Sequence, residues 1–296
     1  FPTRRVDRCR SSSRMLLKKI NLWDQLSPYV TPFKRLLVID DETSKTITFD
    51  STDIPMNSGL EEDIGWIIDH KILTNLLFDN IKEIPLINSS LGDINDIQYS
   101  RYDIIVAADG SKSSSRTNWG IDSISCRYKQ SCLTAKILVR RSIPQAAYEV
   151  FRSEGPLAIL PMGQSVYQIV WSATHDLCAY RAGLPSSLFL DKVAAVLPES
   201  LQPDVLLDKP AVFPVRISFC RGLSKGMGLL VGEAAHSCHP VGGQGLNLCW
   251  RDVDELVFLL KRVSNNSVKI TSLPAIYTRN RMLDIIMVTV FTDLLV

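Results

Sequence analysis

Between Gly228 and Leu260 the chain reads GLLVGEAAHSCHPVGGQGLNLCWRDVDELVFLL, and most of the residues able to do chemistry lie here. His236, Cys238 and His239 are three metal-capable side chains within four positions. Zinc takes four ligands, usually from two separated pairs. No second pair accompanies this one, and His70 and His175 are isolated. A Ser-His-Asp hydrolase would show a G-x-S-x-G elbow, and none occurs. What remains is a glycine-rich turn. Gly242, Gly243 and Gly245 follow the apolar run Leu229-Leu230-Val231, which ends at Gly232 beside the carboxylate of Glu233. Leu246, Val253, Leu256, Val257 and Leu260 then recur near helical spacing. A strand, a glycine turn and a helix let backbone approach a ligand closely, and the helix start offers N–H groups to negative charge.

Other elements follow in chain order. From Ser12, the residues Met15, Leu16, Ile20, Leu22, Trp23 and Leu26 have helical spacing behind a serine-rich start suited to a cap. Leu36 to Ile39 and Thr46 to Phe49 read as a hairpin around the polar turn Asp40 to Lys45, and 51–63 as a polar turn. Gly65 to Ile81 reads as a second helix, with Ile72, Leu73, Leu76, Leu77 and Ile81 on one side. Tyr102 to Gly110 contains a continuous apolar run, Ile104 to Ala108, ending in Asp109-Gly110, the pattern of a strand buried on both faces of a parallel sheet. An Asp-Gly there is equally a capped strand-end turn. Over 119–216 helical periodicity is mostly missing. Strands are expected at Thr134–Val139, Ala158–Leu160 and Tyr167–Trp171, and a helix around Ser187–Leu197.

The string GEAAHSCHPVGGQGLNLCWRDVDEL resembles the second FAD-binding motif of the flavoprotein aromatic hydroxylases, G-D-A-A-H-x-x-x-P-x-x-x-x-G-x-N. Its Gly-Gln-Gly turn and Arg-Asp-Val-Asp tail are most similar to the branch that hydroxylates ubiquinone precursors. Asp109, Gly110, Ser113 and Arg116 match the family's A-D-G-x-x-S-x-x-R motif, which supports FAD and the pyrophosphate of reduced nicotinamide. Gly155-Pro156-Leu157-Ala158 resembles its substrate-sheet segment, Phe213-Pro214 its return to the flavin domain, and Arg5 its cofactor-contacting arginine. The resemblance implies an α/β fold: a Rossmann-like FAD domain lacking its first βαβ unit, interleaved with a mainly β substrate domain. Residues 1–30, 61–118 and 217–270 would form the first, 31–60 and 119–216 the second, and 271–296 a C-terminal helical segment.

It further implies FAD as cofactor, NAD(P)H and O2 as co-substrates, and hydroxylation of an aromatic ring through a flavin C4a-hydroperoxide. The substrate would be a polyprenylphenol, and contact with a membrane or a quinone-synthesis complex would follow. Gly232, Glu233, Gly243, Gln244, Gly245, Leu246 and Asn247 would hold the cofactor. The N–H groups at Gly245 and Leu246 would stabilise charge on the flavin, and Pro240 would shape the backbone near its reactive carbon. Glu233 stands where the family usually has Asp, which sets the carboxylate one methylene further out.

Two other readings compete: a related FAD monooxygenase acting on a small soluble aromatic acid, and a non-catalytic remnant or assembly subunit. The second is motivated by Glu233 and by the lack of any G-x-G-x-x-G, the pattern that brings a pyrophosphate to a helix start. With Phe1 as first residue, this leads us to expect a fragment lacking about 30 residues or more of a βαβ half-unit.

Composition narrows the classes. With 296 residues, 46% hydrophobic, a sizeable core is available, and a net charge of +2 argues against a nucleic-acid binder. Most of Arg4, Arg5, Arg8, Arg10 and Arg14 read as a solvated face. Seven cysteines without a C-x-x-C pair suggest free thiols in a reduced compartment, with Cys238 and Cys249 as packing residues. The C-terminal LDIIMVTVFTDLLV reads as a core-facing helix, with membrane-surface contact as the competing reading.

Overall fold

The structure, a computed structural model, describes residues 6–53, 63–90 and 99–295. Its strands are β1 (Val6–Cys9), β2 (Val30–Phe33), β3 (Arg35–Asp40), β4 (Lys45–Asp50), β5 (Gly65–Asp69), β6 (Ile105–Ala107), β7 (Ser123–Val139) and β8 (Ala146–Phe151). They continue with β9 (Leu157–Pro161), β10 (Val166–Thr174), β11 (Pro203–Leu206), β12 (Ala211–Cys220), β13 (Ser224–Lys225), β14 (Gly228–Leu230) and β15 (His236–Ser237). The helices are α1 (Ser11–Lys19), α2 (Trp23–Leu26), α3 (His70–Lys82), α4 (Ser114–Asn118), α5 (His175–Ala182), α6 (Ser186–Ala194), α7 (Gln244–Ser264) and α8 (Leu273–Leu294). The chain divides into two compact units, the first formed by 1–79 and 128–215, the second by 80–127 and 216–295.

The first unit is built on a sheet ordered β7-β10-β9-β8-β3-β4. Period-2 alternation fixes its faces. Leu133, Ala135 and Ile137 of β7, Tyr148 and Val150 of β8, and Ile169 and Trp171 of β10 pack with Cys178 of α5 and with Phe189 and Val193 of α6. The intervening residues Lys136, Glu149 and Gln168 therefore point to the other face, where Ala147 and Leu160 pack on Phe33 and Ile67. The hairpin expected at 33–50 forms with register Arg35↔Asp50 to Asp40↔Lys45. Of the turn expected at 51–63, residues 54–62 lie outside the described residues.

Several expectations need correction here. Gly65 to Asp69 is not a helix entry but β5, the middle of the antiparallel sheet β1-β5-β2, with Trp66, Ile67 and Ile68 all buried. A short apolar run bounded by Gly and Asp fits either state, and here both strand edges find partners. The N-terminal helix breaks at Asn21, whose φ of 57° is left-handed, so α1 and α2 are separate and Met15 and Ile20 are exposed. The arginines are not a plain solvated face. Arg8 is buried over the Phe33 ring, and burial, with Arg10 nearby, lowers its pKa to about 10. Arg14 stacks between Trp23 and Trp66 at 4.8 and 4.7 Å from their centroids. Strands β8, β11 and β12 and helix α5 carried no clear periodicity.

The second unit holds the sheet β13-β14-β6. β14 is fully buried, as its apolar run suggests, and lies parallel to β6 in the register Gly228↔Ile105 to Leu230↔Ala107. β6 is shorter than expected and is not buried on both faces, since Val106 is 45% exposed. Helices α7 and α8 pack beside this sheet around Leu229, Leu230, Leu248, Leu256, Leu259, Tyr277 and Ile285. The buried stripe of α7 is Asn247, Leu248, Asp252, Leu256 and Leu259, rotated from the expected face, so Val253 and Leu260 are exposed. α8 also departs from expectation. Its inward side carries Arg281, Ile285, Thr289 and Thr292, while Leu283, Ile286, Met287, Val290, Phe291 and Leu294 are exposed. Among the described residues, no helix is long and apolar enough to cross a membrane.

Candidate functional site

The two chemistry-bearing loops leave the same edge of one sheet. Asp109-Gly110 follows β6 and Gly232 follows β14, and these neighbouring strands are parallel, so both loops sit beyond their carboxyl ends. Val231 N bonds to Ala107 O at 3.0 Å and continues the ladder to the start of the second loop. Crevices outside the carboxyl ends of parallel strands are where open α/β sheets bind ligands.

In the first loop Asp109 acts as a cap. Its Oδ2 accepts from Ser115 N at 2.9 Å, and Ser113 Oγ accepts from Arg116 N at 2.9 Å, which starts α4. Burial pushes the Asp109 carboxyl up, but hydrogen bonds from Ser113 and Ser115 outweigh it and hold its pKa below the usual value. Arg116 does more than match a motif. Its Nη1 donates to Ala234 O at 2.8 Å and its Nη2 to Ser111 O at 2.9 Å, so it staples one loop to the other. Gly110, at φ 81°, has nothing within 4 Å of where a Cβ would stand.

The second loop runs from Gly232 to the start of α7. Gly232 is left-handed at φ 63°, and a Cβ there would meet Cys249 Sγ at 3.2 Å. Glu233 is exposed on the short 3-10 turn Gly232–Ala234. His239 is fully buried and accepts from Val241 N through Nδ1 at 3.1 Å. Pro240 precedes a 3-10 turn in which Gly242 and Gly243 are both left-handed, at φ 68° and 60°. Gly243 is the cap residue of α7 and no side chain caps that helix. Gln244 Nε2 donates to Gly242 O and Asn247 Nδ2 to Gly243 O, at 3.3 and 2.8 Å, bracing the turn from the helix side. Gly245 has nothing within 4 Å of a Cβ position, and Leu246 completes the first turn. The N–H groups that open a helix have no intrahelical acceptor, and α7 is 21 residues long, so its uncapped start concentrates positive potential on that open side. Pro240, Gly243, Gln244, Gly245, Leu246 and Asn247 thus form one turn, with Gly232 and Glu233 in the preceding one. Arg5 lies outside the described residues.

Asp252 is the residue sequence reasoning left without a role. It is wholly buried and takes three donors: Gly232 N at 2.9 Å, His236 Nε2 at 2.6 Å and Arg281 Nε at 2.7 Å. Burial would raise its pKa, but those partners outweigh it and lower it. The available signal was an Asp at a core position of α7, in step with Leu248, Leu256 and Leu259. Nothing local marked Arg281, 29 residues away in sequence.

Open space at Gly110 and Gly245 beside an uncapped helix start suits a flat ligand bearing acceptor groups, and a dinucleotide-binding α/β protein is the class that this sheet edge defines. The chain belongs to the FAD binding domain family, whose model matches residues 94–282. It is similar to 3-demethoxyubiquinol 3-hydroxylase of Escherichia coli, 24% identical over 96% of this chain and 75% of the relative. The mouse ubiquinone biosynthesis monooxygenase COQ6 is 22% identical over 91% of this chain and 67% of its own length. A Synechocystis protein, slr1300, is 28% identical, and this chain spans 61% of it. Among solved structures, PqsL of Pseudomonas aeruginosa superposes with a TM-score of 0.77 at 15% identity, over 99% of this chain and 86% of PqsL. Klebsiella pneumoniae HpxO, solved with FAD and uric acid, gives 0.69 at 14%, over 98% and 78%. Identities this low establish the shared fold alone.

Two results are expected at the turn. Gly243→Ala should cost about 1–2 kcal/mol of stability, the usual penalty of left-handed backbone with a Cβ, as read by chemical denaturation. His239 titrates at about 4 because burial outweighs the attraction of Asp293. The unfolded chain therefore binds the proton first as pH falls, and folding stability should drop between about pH 6.5 and 4, by up to about 3 kcal/mol. His239→Asn, which keeps an acceptor for Val241 N, should flatten that limb.

Proposed function

We propose that the protein is an FAD-dependent monooxygenase that hydroxylates an aromatic ring, with NAD(P)H and O2 as co-substrates and a polyprenylphenol of ubiquinone biosynthesis as substrate. The observation that carries this reading is the pair of motif loops at the carboxyl ends of β6 and β14, with the uncapped start of α7 among them. Bound FAD would supply the redox chemistry and the activation of oxygen. Gly245, Leu246 and Asn247 would offer backbone N–H groups where negative charge develops, with no reorganisation needed at the moment of reaction. Gly232 and Glu233 would meet the ribityl side, Asp109-Gly110 the neighbouring edge, and Pro240 would hold the backbone stiff beside the reacting centre.

The polyprenylphenol is favoured by likeness to hydroxylases of ubiquinone precursors and by the exposed apolar stripe on α8, which suits contact with a lipid surface. The mitochondrial designation of the mouse relative favours a mitochondrial location over a cytoplasmic one. The test has two stages. The purified chain is titrated with FAD by fluorescence, and substrate-stimulated, O2-dependent NAD(P)H oxidation is then followed with product analysis. Turnover of a prenylated phenol, with one oxygen atom gained, supports the proposal. Turnover of a small aromatic acid alone would favour the soluble-substrate monooxygenase, and a folded chain that takes up no FAD would favour a non-catalytic role.

A further inference from the structure

Helix α8 reaches the flavin-type loop through one buried carboxylate. Asp252 uses Oδ2 for the turn, accepting from Gly232 N and from His236 Nε2, the first and last residues of the Gly232–His236 segment. Its other oxygen, Oδ1, accepts from Arg281 Nε. Arg281 is itself fixed, since Nη1 donates to Asp284 Oδ2 at 2.6 Å, and Asp284 Oδ1 accepts from Arg251 Nη1 at 2.7 Å. A carboxylate with one oxygen held this way cannot rotate, so its second oxygen stays aimed at the turn. This also accounts for the inverted face of α8, where a charged residue, 6% exposed, occupies the inward side.

We propose that Arg281 is a positioning residue for the FAD site: it sets the Asp252 carboxylate and, through it, the left-handed Gly232 turn that carries Glu233. The proposal rests on the FAD reading above. It makes α8, which contains no motif residue, part of the cofactor site.

The mildest probe is Arg281→Lys, which keeps the charge and the stem. One ammonium lacks the planar fork that serves Asp252 and Asp284 together. Arg281→Met removes the charge. We expect Arg281→Lys to melt within a few degrees of the parent, with hydrogen exchange accelerated at the amides of 232–236. We also expect its FAD dissociation constant to rise on the order of tenfold, the usual effect of losing a supporting contact behind a binding group. The visible circular dichroism of bound flavin should change, and Arg281→Met should be worse in each respect.

A merely structural role would lower the melting temperature and leave exchange at the turn and the flavin spectrum as they were. Unchanged exchange and unchanged FAD affinity in Arg281→Lys would overturn the proposal while leaving the FAD reading intact. Faster exchange with unchanged affinity would also overturn it, because the flavin would then not sense the turn. A folded parent chain that takes up no FAD would remove the reading and the proposal together. Failure of Arg281→Met to fold leaves the decision with Arg281→Lys.

Discussion

An Asp252→Ala chain is expected to lose about 3–5 kcal/mol of unfolding free energy, the cost of leaving a buried cation without its counter-charge. Three donors lose their acceptor at once, and two of them, His236 and Arg281, are nearly inaccessible to water. Asp252→Asn should cost less, about 2 kcal/mol, because the amide oxygen can still accept from Gly232 N and His236 Nε2 while its NH2, in place of Oδ1, faces Arg281 Nε unfavourably. Urea denaturation followed by circular dichroism measures both. A loss below about 1 kcal/mol for the alanine variant would mean that Asp284 can take over Arg281 and that the network is redundant. The pH dependence has a definite sign. The Asp252 pKa is lowered on folding, so its contribution is complete above the ordinary carboxylate value near 3.8 and is lost as pH falls below it. The His239 limb above pH 4 should therefore be distinct from the loss of the Asp252 carboxylate below it.

Gly155→Ala is expected to be the most damaging small substitution in the first unit. Gly155 has φ 131°, a conformation that L side chains rarely adopt, and an added Cβ would stand 2.9 Å from Ser172 O and 3.1 Å from Ser172 C. The obstacle is backbone in β10, which cannot turn aside as a side-chain tip can. Strain of about 1–3 kcal/mol and overpacking of similar size should together lower stability by about 3–5 kcal/mol. The damage should extend to the neighbouring cluster. There Glu154 accepts from Trp171 Nε1, Arg152 and Arg181 at 2.8, 2.6 and 2.8 Å, and the Arg181 guanidinium lies 3.8 Å over the Trp171 ring. A red shift of tryptophan emission should therefore accompany the loss. An alanine variant with parental stability would show that β9 and β10 can separate locally.

The parts of the fold legible in the sequence are those whose signal is local. The glycine turn, the buried run of β14, the hairpin around Asp40 to Lys45 and the long helix after Gly243 all carry their own residue chemistry. Trp66-Ile67-Ile68 was misread because a three-residue apolar run fits a helix or a strand equally, and its partners in β1 and β2 lie some 35 to 60 residues upstream. Asn21 hid a break because a left-handed asparagine leaves hydrophobic spacing undisturbed. The candidate site divides the same way. Its glycines are visible as a pattern and Arg116 as part of a motif, whereas Asp252 and Arg281, which hold the Gly232 turn, act over long separations and look like ordinary surface charges. α8 misled for a related reason: between Tyr277 and Ile285 its inward side carries Arg281, paired with Asp252, and periodicity alone cannot report a charge that is buried and paired.

The sequence order of the two units has a consequence for synthesis. The described residues of the first unit have all been made by residue 215, but the second needs 80–127 together with 216–295. Strand β6 emerges early and must wait for β14, its parallel partner, which begins 121 residues after Ala107. At roughly 5–20 residues per second on the ribosome, the delay is about 6–24 s. For that interval Ala107 and the partly buried Ile104, Trp119 and Ile121, all destined for the core of the second unit, have no finished core to enter. Newly made chains should therefore be most exposed to chaperones and proteases after the first unit has closed and before α8 leaves the exit tunnel.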